Sequence, residues 1–223
     1  LYILWSSLIV SGVKSLINRI SLSPLLFLAL LYTIIFVIYN YFCIGTYNGK
    51  MRIEDIIVSP NHAKDHAISA VAVPLFAAIK NIPLNGLDNC SYRKPGVLEC
   101  QPDISYYVGE RAELAPTGSA IVNLDVTPPP DIAIEISDTT LSDDKGEKRL
   151  LYEEVKVGEY WIVDVQKPEI FAFKIIPTGG SRKITQSQKL PGLEMSLLEE
   201  TLRRSRQMPH SQVVAWLLTQ IQM

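Results

Sequence analysis

The 223-residue chain is long enough for one domain of about 150 residues plus an appendage. Its 21 Lys and Arg against 23 Asp and Glu leave a formal charge of −2, which excludes a globally basic polyanion binder. Any such binding must rest on a local patch. The three cysteines, Cys43, Cys90 and Cys100, are too few for a disulfide framework and lack CxxC spacing, so they fit a reducing compartment.

Residues 1–44 carry only two charges, Lys14 and Arg19, and within them Leu25 to Ile44 is a 20-residue run without any. At about 1.5 Å per residue such a helix spans roughly 30 Å, the thickness of a bilayer core. Tyr39, Tyr41 and Phe42 near its end suit an interface. Lys14 and Arg19 are matched by Lys50 and Arg52, so the flanks set no orientation, and no small-x-small cleavage site follows. The expectation is a transmembrane helix over 25–44. Its rival makes residues 1–47 an extension outside the domain proper.

Asn48-Gly49 is a turn signal, and Lys50–Ile57 reads as a strand. Ser59-Pro60-Asn61 starts a helix that continues from Lys64 to Lys80, where Ile68, Val71, Leu75, Ala78 and Ile79 recur at helical spacing. Pro74 is expected to kink or divide it. Asn81–Gly86 reads as a loop. Strands are then expected at Asp88–Tyr92, Val97–Val108, Ala120–Val126 and Ile132–Ser137, with the Gly- and Pro-containing Glu110–Gly118 between the second and third. Residues 144–156 read as a helix capped by Asp143 or Asp144, with Lys148 and Tyr152 at i, i+4. Strands over Glu159–Val165 and Ile170–Ile176 follow, and Gly179-Gly180 turns into a basic stretch. Helices over Leu193–Gln207 and Ser211–Gln222 close the chain. This order predicts an α/β or α+β domain with a central mixed sheet flanked by helices. The expected units are 1–47, 48–207 and a C-terminal helix over 208–223.

Glu135 lies mid-strand between two isoleucines, a costly place for a charge unless it is paired or binds a metal. Alternation puts Ala133 and Ser137 on its face. Asp131 shares that face, but four residues of strand separate it from Glu135 by roughly 13 Å. Magnesium holds its oxygen ligands at about 2.0–2.1 Å, so two carboxylates that far apart can hardly share an ion. Asp103, in Pro102-Asp103 at the start of another strand, can lie directly opposite Glu135 if the strands pair about 4.8 Å apart. Asp103 is the preferred partner, with Asp131 a strand-start or supporting residue unless a bulge reverses the ranking. Lys148, on the helix after the Glu135 strand, is the expected cation, able to position a water or stabilise charge on phosphate. Lys145 and Arg149 are candidate phosphate contacts, whereas Arg182-Lys183 and Arg203-Arg204-Ser205-Arg206 read as solvated surface, with DNA contact as the rival reading. Acids on neighbouring strands with a lysine nearby suit metal-dependent phosphodiester cleavage. His62 and His66 flank Asp65 at i, i+4, but HxxxH without the zincin glutamate favours packing or capping over zinc. Trp161 reads as core.

Across Asn48 to Gln207 the chain resembles the Uma-type restriction endonuclease family, a branch of the PD-(D/E)xK nuclease superfamily. The resemblance is carried by Ser59-Pro60-Asn61-His62, Cys100-Gln101-Pro102-Asp103-Ile104-Ser105-Tyr106-Tyr107, the Pro130–Ser137 run, Asp144-x-x-x-Lys148-x-x-x-Tyr152, and Glu159-Tyr160-Trp161-Ile162-Val163-Asp164. It implies a restriction-endonuclease-like core with acids on an antiparallel strand pair binding a divalent metal. Asp103 matches the aspartate of the Pro-Asp motif and Glu135 the acid of the (D/E)xK motif. The lysine expected two residues after that acid is Ser137 here, and Lys148 looks like its migrated replacement. The superfamily often adds a glutamate from the first helix. Residues 64–80 have none, and Glu54 is the nearby candidate.

The leading expectation is a magnesium- or manganese-dependent DNA endonuclease, cytoplasmic or membrane-anchored. Asp103 and Glu135 hold the ion, Lys148 assists, and Ser137, Asp131 and Tyr152 support them. A homodimer and a membrane are further expected partners. The rivals are a nuclease-fold binding module without catalysis, tethered through residues 25–44, and a small membrane protein whose soluble part has another role.

Overall fold

The structure, a computed structural model, describes residues 58–222. The apolar run over 25–44, the strand over 50–57 and Glu54 lie outside the described residues. Among the described residues no helix is long and apolar enough to cross a membrane.

Helix α1 spans Pro60–Ile79, with Ser59 as N-cap accepting a hydrogen bond from the His62 amide and Pro60 where a missing N–H costs nothing. It runs through Pro74 as one element rather than two. An interior proline costs about 3 kcal/mol, but most of the helix from Ile68 to Ala77 is buried, and tertiary packing outweighs that local cost. The expected loop at 81–86 is instead the start of strand β1, Leu84–Asp88, whose Asn and Gly read as turn residues. An edge strand tolerates them.

The expected strand over 97–108 is two strands, β3 at Leu98–Cys100 and β4 at Ile104–Val108, in different sheets. Pro102, which has no N–H to give a ladder, lies between them. With β2 (Tyr92–Lys94) and the two-residue β5 (Val122–Asn123), β3 forms a small three-stranded sheet. A 3-10 turn covers Gly109–Leu114. Strand β6, Ile132–Ser137, is followed by α2 (Leu141–Lys145) and α3 (Glu147–Val155) in place of one helix. The break is at Gly146, whose ψ of −97° no helix accommodates. Thr140, not Asp143 or Asp144, holds the N-cap position of α2, and Asp144 is buried inside it.

Strands β7 (Glu159–Asp164), β8 (Glu169–Ile175) and β9 (Ser181–Ile184) complete the main sheet, followed by α4 (Met195–Ser205) and α5 (His210–Gln222). The main sheet has the order β1-β4-β6-β7-β8-β9. Only β6 and β7 pair in parallel there, joined by the α2–α3 crossover, so the sheet is mixed. On one face Ala133, Tyr160 and Ile162 pack with Tyr92, Cys100, Tyr152 and Val155, so the small sheet and α3 cover that side. The other side carries Ile132, Ile134, Trp161 and Val163 under the helices α1 and α4. Helix α5 lies on α1, burying Val213, Leu217 and Ile221.

Candidate active site

The register of β4 and β6 pairs Tyr106 with Ile132, Ser105 with Ala133 and Ile104 with Ile134. The register ends at Ile104, and Asp103, the residue just before β4, lies at the same end of β6 as Glu135, close enough for its charge to act on the Glu135 carboxyl. Pro102 ends the approach from β3, and Asp103 opens β4 by accepting a hydrogen bond from the Ile136 amide at 2.6 Å on Oδ2. Glu135 projects onto the side covered by α2 and α3 and is 5 % exposed.

Both oxygens of Glu135 are engaged. The Tyr152 hydroxyl donates to Oε1 at 2.7 Å, and the Lys148 ammonium donates to Oε2 at 3.1 Å. Lys148 also reaches Asp144 Oδ1 at 2.9 Å, while the Thr140 hydroxyl donates to Asp144 Oδ2 at 2.7 Å. Lys148 and Tyr152 thus converge on Glu135, and Asp144 holds Lys148 from across the break at Gly146. Burial pushes the Glu135 carboxyl up to about 7, and the neighbouring Asp103 charge adds to the rise against the pull of Lys148 and Tyr152. For Lys148 burial acts to weaken the ammonium, but the Glu135 and Asp144 charges outweigh it and hold the group above its ordinary range. Lys148 therefore stays a cation at neutral pH, suited to stabilising negative charge and unsuited to accepting a proton.

Glu135 and Asp144 set two acids on the single Lys148 ammonium. Asp103 has no ion-pair partner among the described residues. That surplus of hard oxygen donors suits a divalent cation of the magnesium type, which binds through one or two carboxylates and keeps several waters. Among the described residues no group of three or more His, Cys, Asp and Glu side chains is gathered so as to hold a metal.

Ser137, two residues beyond Glu135 on the same face, is fully buried, and its hydroxyl has no hydrogen-bond partner among the described residues. Asp131 stands apart. Its Oδ2 accepts from the Val108 amide at 3.0 Å and from Arg111 at 3.1 Å, and its Oδ1 accepts from Lys189 at 2.7 Å. Pairing of β6 with β7 is continuous from Ile132 to Ser137, so no bulge brings Asp131 toward Glu135. It pins the start of β6, and its expected supporting contact is not made. Lys145 lies 3.3 Å from the centroid of the Phe171 ring, and Arg149 lies 5.3 Å from that of Phe173. His66 bonds Asp88 at 2.7 Å, and Trp161 is buried with its indole N–H on Glu159. Asp144 entered the sequence reading as a cap. Its i, i+4 spacing to Lys148 was the signal for its second role.

A family model described as "Putative restriction endonuclease" matches residues 53–219. Among solved structures, one described as a "putative nuclease belonging to DUF820" from Anabaena variabilis is similar at 16 % identity and a TM-score of 0.47, covering 66 % of this chain and 84 % of that one. Comparison with curated proteins found no match. With a match over most of its length, from the segment before α1 into α5, the chain belongs to the Uma-type restriction endonuclease family.

Proposed function

We propose that the chain is a divalent-metal-dependent endonuclease that hydrolyses phosphodiester bonds in DNA, with Asp103 and Glu135 holding magnesium or manganese. The observation that carries this is the Asp103 carboxylate on the Ile136 amide, next in chain to Glu135, whose own carboxylate holds the Lys148 ammonium. A bound ion supplies Lewis-acid polarisation of the scissile phosphate and a lowered pKa for an attacking water. The two carboxylates orient that ion from adjacent strands. Tyr152 holds one Glu135 oxygen, and Lys148, on the other, would stabilise charge building on the phosphate. Asp144 holds Lys148 from behind. Lys145 and Arg149 are assigned to the phosphate backbone. The unit proposed for this activity is 48–207 with the helix of 208–223 packed onto it, and residues 1–47 are an appendage.

Ser137 in place of the family's lysine favours a second reading, a nuclease fold that binds DNA without cutting it. Nicking of supercoiled plasmid separates the two. The wild-type protein is expected to nick with magnesium or manganese and not with EDTA. Asp103→Asn and Glu135→Gln should abolish nicking, and Lys148→Ala should slow it on the order of 10²–10³-fold. Undiminished nicking by Asp103→Asn overturns the assignment, and a wild type that binds duplex yet never nicks establishes the second reading.

A further inference from the structure

Glu135 pairs with Ile162 on β7, and Ile162 pairs with Phe171 on β8. Glu135, Ile162 and Phe171 therefore form one row across the sheet, all on the same face. Phe171 lies two strands beyond Glu135, about 10 Å away at roughly 4.8 Å per strand. Three cations gather over this end of the row. Lys145 from the end of α2 sits 3.3 Å from the Phe171 centroid, Lys183 from β9 sits 5.3 Å from the same centroid, and Arg149 from α3 sits 5.3 Å from Phe173. Lys183 pairs with Phe173 in the β8–β9 register, which puts it on this face, whereas Arg182 pairs with Lys174 on the opposite face.

The counterions are missing. Lys148, Lys189, Arg93, Arg111, Arg203, Arg204 and Arg206 all meet a carboxylate. Lys145 and Lys183 meet none among the described residues, which is equally true of other surface cations such as Lys94, Lys156 and Arg182; what sets this pair apart is that both approach one aromatic ring. Glu153 approaches only Arg149, at 3.9 Å, and accepts a hydrogen bond from the Ser181 hydroxyl at 2.5 Å. Two ammonium groups directed to one aromatic ring without an acid make a local positive field on a molecule of net charge −2. The field faces the same side as the acids that would hold the ion.

We propose that Lys145, Lys183 and Arg149, steadied on Phe171 and Phe173, grip the phosphate backbone of duplex DNA beside the scissile bond. The proposal rests on the reading of Glu135 as the hydrolytic centre. With one phosphate per roughly 3.4 Å of helix axis on each strand, about 10 Å corresponds to about three nucleotides from the cut. Because the ring faces are covered by cations, the strip reads charge and not bases, and the β8–β9 hairpin becomes part of the binding surface.

The test is binding of a fluorescein-labelled duplex to the full chain in EDTA, titrated at several salt concentrations, with plasmid nicking in magnesium run on the same preparations. Lys145→Ala/Lys183→Ala is expected to weaken binding on the order of tenfold near 0.1 M salt and to reduce the log–log salt slope by about 1.8, or 0.9 per lost contact. Phe171→Leu, which keeps an apolar side chain but removes the platform, should reproduce part of that loss. Arg182→Ala, on the same strand and the opposite face, should bind like the wild type. A double variant with wild-type affinity and slope overturns the strip, as does an equal loss in Arg182→Ala or a wild type that does not bind duplex. Duplex binding with the predicted salt slopes but no nicking leaves the strip standing and removes the hydrolytic reading. Nicking with an unchanged slope in the double variant does the reverse.

Discussion

Glu135 shows how burial and pairing compete at a single carboxylate. Its side chain is buried on the face of Ala133, Tyr152, Tyr160 and Ile162, where desolvation favours the neutral acid, and the nearby Asp103 charge adds repulsion. Lys148 and Tyr152 pull the other way but do not win, and the group rests at about 7 against an ordinary 4.5. A folded-state pKa above the unfolded value means that the native state binds the proton more tightly. This contribution to stability is therefore full below about 4.5 and lost as pH rises through about 7. Glu135→Gln imitates the protonated acid. In EDTA its melting temperature should exceed the wild-type value at pH 8 and lie close to it at pH 5, as followed by circular dichroism. A variant less stable than the wild type at pH 8 would show that the Lys148 and Tyr152 contacts outweigh desolvation.

Elements on the other side of the sheet are tied by another buried acid. Asp65 in α1 is fully buried, and its two oxygens meet Arg206, just past the end of α4, through Nε at 3.1 Å and through Nη2. Arg206 Nη2 also donates to the Val165 carbonyl at 2.9 Å after β7, so one guanidinium joins two helices and the sheet. Burial raises the Asp65 carboxyl pKa despite that partner. Removing the cation leaves an acid with no compensating charge inside the protein. Arg206→Ala should cost about 3–5 kcal/mol in urea unfolding at neutral pH. A loss below about 1 kcal/mol would mean that Asp65 escapes by protonation or by water. From the sequence Arg206 is one of a run of basic residues in an amphipathic helix, indistinguishable from its solvated neighbours Arg203 and Arg204. Only the meeting of α1 with α4, which brings Arg206 to Asp65 across 141 residues of chain, separates it from them.

At the scale of the whole molecule, the mixed sheet places the acids at strand positions that face α2 and α3, and metal binding should register as global stability. Magnesium or manganese that binds only the native state stabilises by about 2.7 kcal/mol at a hundredfold excess over its dissociation constant. The melting temperature of the wild type should therefore rise with added ion, more at pH 8 than at pH 6, because the Glu135 proton competes with the metal. Asp103→Asn should abolish that rise. An equal rise in the variant would locate the ion elsewhere.

Strand β6 and the paired strands β7 and β8 were legible in the sequence because dense Ile, Val and aromatic runs have few other uses. That Asp131 stands too far along β6 to share an ion with Glu135 also follows from local rules, since the rise per residue along a strand exceeds the reach of one ion. The edge strands β1 and β9 were hidden. Their polar and glycine residues carry no hydrophobic signal, and pairing with β4 and β8 alone makes them strands. Likewise, chain order alone could not put Lys183 beside Lys145, because that requires β9 to fold back along β8 under α2. Local sequence thus determined where the acids and the buried strands lie. Which distant charges meet was decided by the tertiary fold, because electrostatics acts through space while propensity acts along the chain.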